Sequence, residues 1–470
     1  MVSSTEVTGQ TTPSGIDDSV ARALASGFGG DVLHRGDAGF AEVAPVWNGM
    51  IEHTPTLIAR CSSAQDVSRA VRFAADNNLY PAVRGGAHNI AGTATCRDGL
   101  VIDLSPMREV TVDPQQGRAW AGGGATWADL DRATQPHGLA APGGLVSKTG
   151  IAGLTLGGGL GWLRRKHGLS CDNLVAAEVV TADGQIFTAS EKENSDLLWG
   201  LRGGGGNFGV VTKFEYALHP VGPEVMFSFT LYPLESGRQV LQGWHEFCQA
   251  APDEVTSIVL CGTVPEEEPF PPDIHRRQFV ALATMYAGPV EDGRRILSPL
   301  QALGEPLCDF SSPAPYLEIQ SNFDGDYPDG RRYYWKSLYL KQFDETVIDQ
   351  VLQLAAERPS SLSTVDVWQL GGTMGRIPAD ATAFGDRGAP YLLGVESNWD
   401  DPAEDTRNRD WTRAACARME RFSNGNSYLN FEPDSVPVEQ DSAREQRLCR
   451  LKRLYDPDNL FRQNHNIRPV

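Results

Sequence analysis

His88 is the side chain with the clearest chemical potential, because of the turn that delivers it. A strand-like apolar run (Leu79 to Val83) feeds V-R-G-G-A-H-N-I-A-G, Val83 to Gly92. Gly85 and Gly86 there permit positive φ and let the backbone come close to a ligand. A histidine in such a turn aims its imidazole at whatever the backbone cradles; the plainer alternative is a tight turn with an incidental histidine. Two more glycine-dense stretches follow: A-A-P-G-G-L-V-S-K-T-G-I-A-G-L-T-L-G-G-G-L-G-W, Ala140 to Trp162, and R-G-G-G-G-N-F-G, Arg202 to Gly209. Amides freed by such glycines can converge into an anion-binding nest, which suits a pyrophosphate where basic side chains are scarce. Gly204, Gly206 and Gly209 fit G-x-G-x-x-G. The dinucleotide fingerprint needs a strand before these glycines and a helix after them, and here the order is reversed, so a Rossmann site is rejected.

The composition sets the outer limits. A chain of 470 residues has room for two or three domains and a core able to bury a sizeable cofactor. Its 41 basic and 60 acidic residues give a formal net charge of −19, which disfavours nucleic acid and anionic membranes as partners. The eight cysteines are scattered, with no C-x-x-C and no histidine pair at zinc-ligand spacing, so no metal site is expected. Free, mostly core thiols, a polar start without signal-peptide character and no bilayer-length apolar run make the cytoplasm the expected compartment. Oligomeric state is not readable.

These turns need elements to hold them. Asp17 to Phe28 has helical spacing. Trp47-Asn48-Gly49 closes a loop before a strand at Thr54 to Arg60. Ser62 to Asp66 caps a helix with Val67, Ala70, Val71 and Ala74 on one face, and a strand at Tyr80 to Val83 completes a βαβ opening. Short strands follow at Leu100 to Leu104, Glu109 to Val112 and Arg118 to Ala121, then a helix from Trp127 to Thr134 capped by Thr126. Leu174 to Thr181 and Gln185 to Ala189 form a hairpin about Ala182-Asp183-Gly184. Asn194 to Leu201 is a short helix and Val210 to Tyr216 a strand. After His219-Pro220 the glycine cradles stop. Strands at Val225 to Tyr232, Thr256 to Thr263, Gln278 to Tyr286, Tyr333 to Tyr339, Thr364 to Gly371 and Tyr391 to Ser397 alternate with helices at Arg238 to Ala251, Glu345 to Ala356 and Asp405 to Phe422. The pattern fits a mostly antiparallel sheet with helices on one face, forming a separate substrate domain.

Five motifs occur in one order along nearly the whole chain: R-G-G-A-H-N around His88, the P-G-G to G-G-G-L-G-W block, R-G-G-G-G-N-F-G-V-V-T, Y-L-N-F at 428–431, and Y-D-P-D-N-L-F-R-Q-N-H-N-I at 455–467. Jointly they resemble the berberine-bridge-enzyme-like flavoprotein oxidases of the vanillyl-alcohol oxidase and p-cresol methylhydroxylase superfamily, closest to the microbial 6-hydroxynicotine oxidase-like branch. The resemblance implies an α+β fold: a two-part FAD-binding domain of the p-cresol methylhydroxylase type (1–218 and 427–470) and a substrate domain between (219–426). It implies FAD held by one covalent bond to His88, since the second, cysteine link of many relatives meets Val146 here and Cys171 lies too far along. A tethered flavin is a stronger electron acceptor. The cofactor neighbours carried over are Arg84, Gly85, Gly86, Ala87, Asn89, Gly92, Pro142, Gly143, Gly144, Val146, Thr149, Gly150, Gly153, Gly158, Gly159, Gly161, Trp162, Asn207, Gly209, Val210, Asn430, Asn464 and Asn466.

Relatives usually have Val, Ile or Leu at the position of Thr149. Two readings of it stay open: a hydroxyl satisfied by a backbone carbonyl, or a smaller polar neighbour that admits oxygen to the flavin edge. Hydride transfer also needs a base for the departing O–H or N–H proton. Asp366 is the candidate, its pKa raised by burial, against the reading of an ordinary strand-end aspartate. Tyr428 and Tyr334 are the aromatic candidates, and only one of Trp368 and Gln369 can face the pocket. Lys148 and Arg164-Arg165-Lys166 read as a solvated surface patch, with an anion site as the alternative. The expected function is an FAD-dependent oxidase acting on a small alcohol, amine or activated C–H compound, such as a secondary metabolite or aromatic heterocycle, with dioxygen as acceptor and hydrogen peroxide as product. A dehydrogenase with another acceptor, a carbohydrate oxidase and a non-catalytic flavin carrier remain as alternatives.

Overall fold

The computed structural model describes residues 18–434 and 442–469. Its N-terminal part carries two sheets. In the first, Asp31–His34, Leu57–Arg60, Leu100–Asp103 and Ala82–Arg84 lie side by side in that order, the last three parallel. The expected βαβ unit is present, with Ser63 capping the helix Ala64–Asp76 by accepting from the Asp66 amide. Its two strands are not neighbours, however, because Leu100–Asp103 inserts between them. Sequence spacing fixes that the strands run parallel, not what slides into the gap. Asp31–His34 is a strand that the sequence reading missed, being short and half polar. The second sheet is antiparallel, in the order Val110–Asp113, Arg118–Gly122, Val210–Ala217, Leu174–Val180, Ile186–Ser190.

The third sheet is the largest, with Glu224–Pro233, Gln278–Tyr286, Val255–Thr263, Thr364–Gln369, Tyr391–Trp399 and Arg332–Leu340 adjacent in that order and all antiparallel. Strand periodicity sorts its residues between two cores. Val259, Val280, Leu282, Val365, Val367, Leu393 and Val395 pack beneath the helices Gly237–Ala250, Glu345–Ala356 and Asp405–Met419, with Trp244, Val347 and Ala415. Ile258, Ala283, Met285, Trp368 and Leu392 face the other way, against Leu160, Trp162, Leu163 and Tyr428. This inner face meets the glycine-rich block. The tail returns to the N-terminal part, where Leu448, Cys449 and Leu451 of the helix Ala443–Tyr455 share a core with Leu197, Leu201 and Phe208.

Two segments differ from expectation. The glycine-rich block contains a helix, Ile151–Leu156, opening at Gly150; I-A-G-L-T-L is apolar enough to be packed into helix despite Gly153, as tertiary burial overrides propensity. Arg164 and Arg165 are not a surface patch. Arg164 is fully buried and donates to the carbonyls of Gln369 (2.9 Å), Gly161 (3.0 Å) and Ser257 (3.0 Å). Arg165 donates to those of Val255 (2.8 Å), Leu370 (2.5 Å) and Ala251 (3.1 Å), and Lys166 to that of Ala287 (2.5 Å). Fixed-fork donors thus bind the block to the backbone of the large sheet.

Candidate active site

A cavity of about 290 Å³ runs between the His88 turn, the helix Ile151–Leu156, the 205–211 glycine loop, the C-terminal tail and the inner face of the large sheet. The strand Ala82–Arg84 sets the start of the turn, and Ala87 adopts φ 56°, uncommon for a residue with a Cβ. Gly86 and Gly150 touch through their backbones: a Cβ on Gly86 would come 2.3 Å from the Gly150 nitrogen. Only glycine allows that approach. His88 is thereby turned toward the cavity with its ring stacked on Trp47 (centroids 4.8 Å, 16°). Its Nδ1 lies 3.4 Å from Thr149 Oγ1, while Nε2 is buried with no protein partner. Burial pushes the imidazole pKa down to about 4, so the ring is neutral at pH 7. The Thr149 hydroxyl thus pairs with His88 and not with a backbone carbonyl.

The same cavity carries two carboxyl groups. Asp366 and Glu396, on neighbouring strands, are both buried and both line it. They hydrogen-bond to each other, which requires one to hold a proton. Burial raises the Asp366 pKa, Glu396 reinforcing it, so Asp366 keeps the proton, while burial lifts Glu396 to about 7. Tyr327 donates its hydroxyl to Glu396 Oε2 at 3.0 Å, and Trp47 donates Nε1 to the Tyr327 carbonyl at 2.9 Å. Trp47 thus contacts His88 while tying down the loop that bears the carboxylates' tyrosine.

Of the residues expected around the cofactor, Gly85, Gly86, Ala87, His88, Asn89, Gly144, Val146, Thr149, Gly150, Gly153, Gly209, Val210, Asn430 and Asn464 line the cavity. The others do not, and most of them make contacts within the protein. Arg84 is buried and donates to the carbonyls of Val43, Ala44 and Ala94. Gly92, at φ 71°, closes the turn by donating to the Asn89 carbonyl at 3.0 Å. Pro142 leads into Gly143, which packs against the Trp127 ring and against Gly161, where a Cβ would come 1.5 Å from the Gly143 oxygen. Gly158 and Gly159 take positive φ beside Phe384 and Ser170. Trp162 is core, edge-on to Phe227. Asn207 fastens the tail, donating to the His465 carbonyl (3.1 Å) and accepting from the Ile467 amide (3.0 Å). Asn466 lies outside the cavity lining. Cys171 is fully buried away from it.

Tyr334 is a correction. It shares strand Arg332–Leu340 with Tyr333 and Trp335, but alternation turns it to the helix side, where it donates to Asp434 (2.7 Å) and accepts from Arg413 (2.8 Å). Trp335 lines the cavity instead. Tyr428 does line it, yet its hydroxyl already receives the amides of Gly159 and Leu160 (both 3.1 Å) and Asn430 Nδ2 (2.9 Å), so it pins the glycine turn. Asn430 Nδ2 also donates to the Leu154 carbonyl at 3.1 Å, holding nearby backbone. Of the Trp368 and Gln369 pair, Trp368 faces the pocket. Sequence reasoning missed Glu396, although a lone acid in Y-L-L-G-V-E-S-N-W was a usable signal; Tyr327, in a polar loop, gave none.

The chain accommodates a flavin dinucleotide on its own observations. A Cβ on Gly153 would meet no protein atom within 4 Å, so this cavity-facing helix position leaves a space. His88 Nε2, Asn464 Oδ1 and both His465 ring nitrogens line the same cavity without protein partners. The "FAD binding domain" family matches residues 55–190, and "Berberine and berberine like" matches 443–468. The chain is similar to (R)-6-hydroxynicotine oxidase of Paenarthrobacter nicotinovorans, 31% identical, covering 94% of this chain and 97% of the other. It is 30% identical to the uncharacterized FAD-linked oxidoreductase YgaK of Bacillus subtilis, covering 94% and 97%. The crystal structure of 6-hydroxy-D-nicotine oxidase from Arthrobacter nicotinovorans superposes with a TM-score of 0.84 at 28% identity, covering 94% and 98%. A chitooligosaccharide oxidase has the same fold, with a TM-score of 0.82 at 21% identity, covering 96% and 100%. A cavity lined by both the His88 turn and a carboxyl pair, on a chain alike over almost its whole length to FAD-linked enzymes, makes this protein a member of the berberine-bridge-enzyme-like FAD-linked oxidoreductases.

Proposed function

We propose that the protein is an oxidase that removes a hydride from a small organic substrate onto FAD bonded to His88, and passes the electrons to dioxygen to give hydrogen peroxide. The observation that carries this reading is the buried, partnerless His88 Nε2 in a cavity that also bears a proton-sharing carboxyl pair. Bound FAD supplies the two-electron acceptor that the side chains lack.

The protein's own residues do the rest. With its proton on Nδ1 toward Thr149, the neutral His88 ring presents a lone pair at Nε2 for attachment. Convergent glycine amides suit the pyrophosphate. Glu396, ionised once pH exceeds about 7, takes the proton from the substrate's O–H or N–H as the C–H bond gives up its hydride. Tyr327 orients that carboxylate, and aromatic walls exclude water.

Acid precipitation of the purified protein tests the attachment. The yellow colour should stay with the pellet, and His88→Ala should release it to the supernatant. Release from the unaltered protein would refute the covalent link. Anaerobic reduction followed by mixing with air-saturated buffer tests the acceptor, and reoxidation over minutes rather than seconds would indicate a dehydrogenase.

A further inference from the structure

Trp47 is buried and reaches both the His88 turn and the loop that carries Tyr327. Its ring stacks on His88 (centroids 4.8 Å, 16°) and on Tyr333 (3.8 Å, 12°), so the imidazole rests on an indole that is itself backed by a strand of the large sheet. The backbone of Trp47 is fixed too. Its amide donates to the Ala87 carbonyl at 3.2 Å, and its carbonyl accepts from the Gly330 amide at 2.9 Å. The indole N–H is thereby aimed, and it donates to the Tyr327 carbonyl at 2.9 Å.

Tyr327 depends on that bond. It lies in the irregular segment 322–331, between the helix Tyr316–Ser321 and the strand Arg332–Leu340. Other ties grip the segment on either side of it: Asp324 accepts from the Ser147 amide (2.7 Å) and hydroxyl (2.6 Å), and Tyr333 donates its hydroxyl to the Pro328 carbonyl (2.6 Å). Between them the indole sets where Tyr327 sits, and so whether its hydroxyl meets Glu396 Oε2. Glu396 is faced by Asp366 and Thr364 from one neighbouring strand, Trp335 from the other and Tyr327 from the loop. The Tyr327 O–H favours the ionised carboxylate, so its removal drives the Glu396 pKa upward from about 7.

We propose that Trp47 is a positioning residue with two separable roles: its ring face holds His88 for attachment to FAD, and its indole N–H, acting through Tyr327, holds Glu396 ready as the base. Both roles rest on the proposed function and add to it a residue that ties cofactor attachment to proton removal. They belong to different atoms, so substitution can part them. Phenylalanine keeps a stacking ring and loses the donor, whereas leucine loses both.

Two measurements on the purified flavin-bearing protein test this. The first follows the infrared absorption of protonated carboxyl groups from pH 5 to 9, the component missing in Glu396→Gln being assigned to Glu396. In the unaltered protein it should titrate near pH 7. Trp47→Phe should lower the ratio of ionised to protonated Glu396 by about 10-fold at a given pH, the loss of one hydrogen bond to a charged group. Tyr327→Phe should do the same, and the double variant should go no further, because both act on one bond. The second measurement is acid precipitation. Flavin should stay with the pellet in Trp47→Phe and Tyr327→Phe but pass to the supernatant in Trp47→Leu, with Trp47→Met in its place should the leucine variant fail to fold. An unmoved titration in Trp47→Phe, additive shifts in the double variant, or equal retention of flavin by Trp47→Phe and Trp47→Leu would overturn the proposal. Flavin released from the unaltered protein would instead refute the proposed covalent link, and the infrared titration would still decide the role of the indole N–H.

Discussion

At the scale of single residues, the chemistry depends on which protonation states burial permits. Burial and the neighbouring carboxyl hold Asp366 protonated and bring Glu396 to about 7. Below that pH the pair carries both protons and offers no base; above it Glu396 is ionised. kcat/KM should therefore rise with pH through about 7 and then level off, and a profile flat between pH 6 and 8 would contradict the assignment. Glu396→Gln should lower the anaerobic rate of flavin reduction by about 100-fold or more without releasing flavin. Gly153 tests the cradle separately. Gly153→Val places branches where no protein atom stands within 4 Å, so the variant should fold with an unchanged far-ultraviolet spectrum but purify colourless.

At the scale of elements, the two parts of the chain meet through helix pairs that carry polar groups. Asp131, on the helix Trp127–Thr134, is buried and accepts from Gln320 Nε2 at 3.0 Å, on the helix Tyr316–Ser321. Its Oδ1 and Gln320 Oε1 have no protein partner. Burial raises the Asp131 pKa from 3.8 to about 7. The native state therefore holds a proton that the unfolded chain has lost between those values, and stability falls as pH rises through that window. Asp131→Asn can accept from Gln320 and donate back to it at any pH. It should remove this part of the pH dependence and raise stability at pH 8 by about 1–3 kcal/mol, measured by urea unfolding at a series of pH values.

At the scale of the whole molecule, the cavity exists only because three distant stretches are held together. Asn48 donates Nδ2 to the carbonyls of Ile90 (2.8 Å) and Tyr333 (2.9 Å) and accepts from the Tyr333 amide (3.1 Å), so the loop before the strand Leu57–Arg60 pairs with the large sheet. Arg164 and Arg165 do the same from the glycine-rich block. Lys452 and Asp456, both fully buried and 2.6 Å apart, secure the tail beside the Asn207 carbonyl. Arg164→Leu would leave three carbonyls without their cationic donor and remove the support behind Trp368. Its cost should be about 3 kcal/mol, read as a lowered thermal midpoint.

The sequence alone determined what depends on local rules. Glycine placement marked the backbone turns, apolar periodicity marked strands such as Gln278–Tyr286 and helices such as Glu345–Ala356, and the ordered motifs gave the cofactor family. Tertiary structure decided what depends on facing and on distance along the chain. Tyr334 and Trp335 are adjacent in sequence, yet strand alternation sends one to solvent-side helices and the other to the cavity. Arg164 and Arg165 look like surface charge until six carbonyls, five of them from other segments, surround them. The pairing of Asp366 with Glu396 joins residues on two strands, and no local pattern can say that two carboxyls 30 positions apart will share one proton.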